Sequence, residues 1–179
     1  MPRKVRKLKP ADLKDAALHY LGRYAASTGR LRQVFLRRIR NSAKVHDFEP
    51  EPLLEELERV IAMLTRTGVL NDTSFAEGRV RSLSRRGGSR RQIAGKLAVA
   101  GVARETATEA LAGLEEEIPD AEFAAAIAYA KRRRLGAYRS SPDVTPERRR
   151  KDLMAMARAG FSLDLARRAL AGAESEAEG

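Results

Sequence analysis

Short apolar stripes at helical spacing, each closed by glycine or proline, run along nearly the whole chain and point to helices throughout. Leu13, Ala17, Tyr20, Leu21 and Tyr24 form the first stripe, which Gly29 ends; Leu31, Val34, Phe35 and Ile39 form the next. Spacings of three and four residues place each set on one helix face. After Pro50 and Pro52 comes the clearest stripe, Leu53, Leu54, Leu57, Val60, Ile61 and Leu64. Gly68 stops it, as a glycine just past a helix end does. Asn71 or Asp72 then serves as an N-cap for a helix carrying Phe75, Ala76, Val80 and Leu83, closed by Gly87-Gly88. Ile93, Leu97 and Ala100 lead to Gly101, and Ala107, Ala110, Leu111 and Leu114 follow. Pro119 marks a boundary before Phe123, Ile127 and Ala130. Pro142 and Pro146 break the chain again, ahead of Leu153 and Met156, then Leu163, Ala166, Ala169 and Leu170, around Gly160.

The pattern amounts to three helices, three times over. Gly29 and Gly88 lie 59 residues apart, as do Gln33 and Gln92, Gly101 and Gly160, and Ala107 and Ala166. A fixed period that matches helix breaks as well as apolar positions indicates tandem repeats. The expectation is an all-α fold of three tandem three-helix repeats in an elongated array, over residues 11–68, 69–117 and 118–172. A basic N-terminal tail, residues 1–10, and an acidic C-terminal tail, residues 173–179 with Glu174, Glu176 and Glu178, flank them. Units of this size sit at the edge of what one core supports, so each is expected to bury a face against its neighbour.

Charge narrows the partner. Lys and Arg total 35 against 24 for Asp and Glu, a formal net charge of +11. Such an excess implies an anionic partner, with nucleic acid or a nucleoprotein assembly first and a membrane surface second. There is no cysteine, so a disulfide framework or a thiolate metal site is excluded. Met1 to Lys9 is basic without the apolar stretch of a secretory signal, and no run reaches transmembrane length. These features predict a cytoplasmic protein without a membrane partner, expected to be a monomer.

The positive charge is clustered. From Gly78 to Arg104 there is no acid, while Arg79, Arg81, Arg85, Arg86, Arg90, Arg91, Lys96 and Arg104 all fall there. Arg30, Arg32, Arg37, Arg38 and Arg40 cluster earlier, and Arg148, Arg149, Arg150 and Lys151 later. The period makes Arg32, Arg91 and Arg150 equivalent. The second helices of the three units are therefore expected to present a basic strip, with arginine as phosphate or carboxylate clamp. The candidate contact residues are Arg32, Arg37, Arg79, Arg85, Arg86, Arg90, Arg91, Lys96, Arg149 and Arg150. Acids gather elsewhere: Glu49, Glu51, Glu55, Glu56 and Glu58 at the start of one helix, where they complement its dipole, and Glu115, Glu116 and Glu117 at the end of another.

Catalytic patterns are missing. His19 and His46 stand in different segments with no cysteine to join them, which argues against a metal site. The stretch from Gly88 to Gly95-Lys96 is no phosphate loop, since Leu97 stands where a Ser or Thr is needed. No nucleophile elbow occurs. Arg91 to Leu111 has the residue types of a helix-turn-helix, but Ala94 lies too far ahead of Gly101, and Glu105, Glu109 and Glu115 would repel phosphate. The chain is expected to be no enzyme and to need no cofactor.

From about Ala11 to Ala171 the residues resemble the RecX family of bacterial modulators of the RecA recombinase. The most specific piece is Gly68-Val69-Leu70-Asn71-Asp72-Thr73-Ser74-Phe75-Ala76, similar to the family's entry into its second unit. Gly87 through Leu97, then Ala100-Gly101-Val102 and Glu105, is close to the pattern that follows. Ala17, Tyr20-Leu21, Arg23 and Leu31 are similar to the N-terminal helix. Gly87-Gly88-Ser89-Arg90 departs from the Gly-x-Gly-Pro that relatives often carry. The resemblance implies three tandem three-helix repeats and a regulator that binds RecA and the RecA–single-stranded DNA filament, suppressing its recombinase and ATPase activities in DNA repair and recombination. Lying in the filament groove and capping its growing end are both open. The competing readings are a RecA-independent, non-specific DNA-binding repeat protein and a helical adaptor for another acidic protein. The scarcity of aromatics, 5% of residues with no Trp, argues against base stacking as the main energy of DNA binding.

Overall fold

The structure is a computed structural model that describes residues 5–140 and 145–172. Residues 1–4 of the basic tail, the acidic tail 173–179 and the break at Pro142 lie outside the described residues. Nine α-helices and no strand occur among the described residues. They are α1 (Leu13–Leu21), α2 (Thr28–His46), α3 (Glu51–Arg66), α4 (Asp72–Arg85), α5 (Arg90–Val99), α6 (Arg104–Glu117), α7 (Ala121–Arg133), α8 (Pro146–Arg158) and α9 (Leu163–Ala171). Short 3-10 turns at Pro10–Asp12 and Gly136–Tyr138 precede α1 and follow α7. The all-α expectation holds. The chain divides into two compact units, Met1–Phe75 with Ala100–Val102, and Ala76–Val99 with Ala103–Gly179.

In the first unit α1, α2 and α3 close around Leu13, Ala17, Leu31, Phe35, Ile39, Leu57, Ile61 and Leu64, with Leu70 beside them. Tyr20 meets Phe35 edge-on, its ring centre 6.2 Å away. Burial of large aliphatic and aromatic side chains at roughly 1.5–3 kcal/mol each is the main force holding such a set together. The stripe read as the clearest in the sequence is α3, and Leu53, Leu57, Val60, Ile61 and Leu64 are its buried face. Residues 5–10, expected as tail, lie along α2: Ser42 Oγ accepts from the Leu8 amide at 3.0 Å and donates to the Arg6 carbonyl at 3.1 Å.

Two local expectations change. Helix α1 ends at Leu21, not at Gly29, and Tyr24 is 57% exposed rather than part of the buried stripe. Gly29 instead sits in the first turn of α2, which Ser27 caps by accepting from the Arg30 amide at 3.0 Å. Between Asn71 and Asp72 the cap is Asn71, whose side-chain oxygen takes the Ser74 amide at 2.9 Å. Asp72 works elsewhere: its carboxylate accepts the Thr28 amide at 2.7 Å, a donor at the N-terminus of α2 that has no partner within its own helix.

In the second unit α4, α5 and α6 bury Ala76, Val80, Leu83, Ile93, Leu97, Ala107, Ala110, Leu111 and Leu114. Helices α7, α8 and α9 bury Ala125, Ala126, Ala130, Ala159, Ala166 and Ala169 with Leu135, Met156 and Phe161. A carboxylate enters this core. The Asp152 carboxylate accepts the Gly136 amide at 2.9 Å and the Arg139 Nε–H at 3.1 Å, and a second Arg139 nitrogen donates to its other oxygen.

The fixed period of 59 survives at one helix pair and fails at another. Helices α6 and α9 start 59 residues apart, and Ala107 and Ala166, Ala110 and Ala169 are buried in both. Gly101 and Gly160, both at positive φ (74° and 93°), turn the chain into them. Each turn meets the start of a second helix within its own unit. A Cβ on Gly101 would lie 2.8 Å from the Gly29 Cα, and one on Gly160 would lie 2.7 Å from Ser89 Oγ. Ser27 Oγ donates to the Ala100 carbonyl in the first case, and Ser89 Oγ to the Ala159 carbonyl, at 2.6 Å, in the second.

These matching contacts fix the register of the second helices. Their caps are Ser27, Ser89 and Thr145, spaced 62 and then 56 residues apart. Arg32 and Arg150 both stand five residues after their caps, but Arg91 stands two after Ser89. Arg91 is therefore not their equivalent, and neither Gly88 nor Gln92 corresponds to Gly29 or Gln33. The connections ahead of α2, α5 and α8 differ in length, which breaks any single period there.

Candidate functional site

The candidate arginines divide by whether an acid already holds them. Arg32, on α2, faces α3 and pairs with Glu58 through two parallel hydrogen bonds of 2.8 Å each. The Arg32 hydrogen bond holds the Glu58 carboxyl below its ordinary range, and the same bond raises Arg32. Arg90, at the start of α5, donates to the Leu111 carbonyl at 3.5 Å and to Glu115 at 3.3 Å on α6. Arg81 pairs with Glu117 in the same way, at 3.0 Å. The acids at the end of α6, which gain nothing from the helix dipole, thus take up cations from α4 and α5.

The remaining candidates make no ion pair with a described residue. Arg37 is exposed on α2 and shares a shallow depression with Gln33, Leu36, Arg40 and Asn41. Arg79 and Arg85 are exposed on α4, and Arg86 follows it directly. They belong to a first helix of the repeat pattern, which corrects their placement on the second-helix strip. Arg91 and Lys96 are exposed on α5. On α8, Arg149 and Arg150 face different surroundings. Arg149 edges a cleft with Gly136, Ala137, Leu153, Arg167 and Leu170, whereas Arg150 lines up with Glu147, Lys151, Met154 and Arg158.

Sequence reading passed over other cations. Arg38 stacks over the Phe35 and Tyr20 rings at 5.0 and 5.5 Å, so its charge lies against the first core. Lys131, Arg132, Arg133 and Arg134 form a run at the end of α7. Arg132 lies over the Tyr129 ring at 5.5 Å and donates to the Arg86 carbonyl, which joins this run to the end of α4. The signal was visible: Phe123 to Pro142 holds no acid.

Among the described residues no group of three or more His, Asp or Glu stands together as a metal cluster, and no helix is long and apolar enough to cross a membrane. Fold and charge together define a class, a basic all-helical protein whose net charge of +11 suits an anionic partner.

Residues 71–111, which take in most of α4, α5 and α6, match the family model described as RecX, second three-helix domain. The chain is 40% identical over 169 residues to regulatory protein RecX of Myxococcus xanthus, covering 94% of this chain and 89% of that one. It is 36% identical over 166 residues to regulatory protein RecX of Agrobacterium fabrum, covering 92% and 85%. The crystal structure of RecX from Lactobacillus salivarius has a similar fold, with a TM-score of 0.66 at 19% identity over 90% of this chain and 94% of that one. A second crystal structure, of regulatory protein RecX, gives a TM-score of 0.63 at 19% identity over 88% and 70%. The chain belongs to the RecX family, and it is a regulatory protein of that family.

Proposed function

We propose that this protein binds RecA and the RecA–single-stranded DNA filament and restrains recombinase and ATPase activity, acting in the cytoplasm as a monomer without chemistry of its own. The observation that carries the reading is 40% identity across 94% of the chain to a protein named as a RecX regulator. The charge supports it, because a net +11 suits a filament lined with phosphate and carboxylate. The contact set proposed is Arg37, Arg79, Arg85, Arg86, Arg91, Lys96, Arg149 and Arg150, whose guanidinium and ammonium groups pair with no acid among the described residues. Arg32 and Arg90 join it only through the edges that Glu58 and Glu115 leave free.

The test adds the purified protein to RecA on single-stranded DNA and follows ATP hydrolysis. Hydrolysis is expected to fall with added protein to a plateau. Unchanged hydrolysis at saturating protein refutes the reading.

A further inference from the structure

A cleft of about 360 Å³ lies between α8, α9 and the 3-10 turn at Gly136–Tyr138. Ala137, Leu153, Leu170 and Ala171 give it an apolar lining, and Arg149 and Arg167 bring two exposed cations to it. Neither arginine pairs with an acid among the described residues, whereas Arg168, next on α9, lies over the Phe123 ring at 4.5 Å. The Asp152 carboxylate also borders the cleft, but the Gly136 amide and Arg139 already take its oxygens. The charge left over is positive.

The chain leaves α9 at the edge of this cleft. Gly172 ends the helix at φ +92°, and a Cβ there would lie 3.2 Å from the Ala137 Cβ. A Cβ on Gly136 would strike the Leu170 carbonyl and lie 2.8 Å from the Leu170 Cβ. These two glycines let the exit of α9 rest against the turn that lines the cleft. Residues 173–179 follow, with Glu174, Glu176 and Glu178 at every second position. Carboxylates just past a helix C-terminus oppose its dipole, so they disfavour continuation of α9. An extended run of this pattern carries its acids on one side and small side chains on the other. Seven residues reach at most about 25 Å, and the cleft begins at Ala171.

We propose that the acidic segment 173–179 docks in this cleft of its own chain, its carboxylates pairing with Arg149 and Arg167. An exposed ion pair is weak by itself, but a tether this short supplies the acids at high effective concentration. Docking covers two cations that an anionic partner would otherwise meet. That consequence rests on the RecA reading, in which Arg149 is a contact. The docking itself does not, and its test contains no RecA, so the two fail separately.

The experiment follows arginine modification by phenylglyoxal, located by fragment mass spectrometry, in the full chain and in Glu174→Gln/Glu176→Gln/Glu178→Gln. Arg149 and Arg167 should react about threefold or more faster in the variant. Raised salt should give a similar gain in the parent and little in the variant. Arg150, which follows Arg149 but lines up with Glu147 and Met154, and Arg104 on α6 should keep their rates. Protection in the parent should persist on dilution, as a contact within one chain does. Circular dichroism confirms that the variant is folded. Four results overturn the docking: unchanged rates at Arg149 and Arg167, protection that salt leaves intact, an equal gain at Arg150, which marks a diffuse field and not a seated segment, or protection lost on dilution, which marks the acidic segment of a second copy.

Discussion

The first three helices and the last three solve the same packing problem with different side chains. Helices α1 to α3 close over Phe35, Leu31, Ile39, Leu57 and Ile61. Helices α7 to α9 close largely over alanines and are pinned by the Asp152–Arg139 pair and the Gly136 amide. Large side chains fill space between helix backbones that stand apart. Small ones let the backbones approach, and stability then depends on backbone fit and on a few polar pins. Repeats with one helix order therefore need not share one core chemistry, and the two cores should respond in opposite ways to changes in side-chain size.

The largest effect is expected in the first core. Phe35→Ala should lose about 3–5 kcal/mol, read as a lower urea midpoint by circular dichroism, because the fully buried ring leaves a cavity among rigid aliphatic neighbours. A loss below about 1 kcal/mol would show that α1 to α3 collapse freely, against the packing described here. Next comes the pin: Asp152→Asn should lose about 3 kcal/mol, since it leaves Arg139 without its carboxylate beside a buried site. A neutral result there would leave the alanine core standing without its pin. Third, Ala126→Leu should lose about 1–3 kcal/mol by forcing α7 away from its neighbours. A stabilising outcome would mean that the last core is loose rather than close-packed.

How much of this was legible follows from what each feature depends on. Local features were readable: α3 announced itself through Leu53, Leu57, Val60, Ile61 and Leu64, and the α6–α9 match through Ala107 and Ala166. Features set by loop length were not. Six residues separate α1 from α2 but four separate α4 from α5, so a period counted from Gly29 to Gly88 slid past the true caps at Ser27 and Ser89. Pairs between packed helices were also hidden. Nothing in sequence ties Arg32 to Glu58, 26 residues on, or Arg90 to Glu115, 25 residues on. The Lys131–Arg134 run was plain in the sequence, but its link to Arg86 needed the Gly87–Tyr129 approach.

The smallest effect belongs to the held arginines. Glu58→Gln should cost under about 1 kcal/mol, since both partners of the Arg32 pair are substantially exposed. The Arg32 hydrogen bond lowers the Glu58 carboxyl in the folded state. Its small contribution is therefore full above the ordinary carboxylate range and is lost as pH falls through the lowered one. A midpoint in the variant that tracks the parent at neutral pH as well as in acid would show the pair contributes nothing.

Engagement of an anionic RecA filament by this cationic helical protein is tested by co-sedimentation of the full chain with RecA assembled on single-stranded DNA, across a range of salt. Saturable capture that weakens steeply as salt rises is expected. No capture at low salt, or capture indifferent to salt, would contradict it.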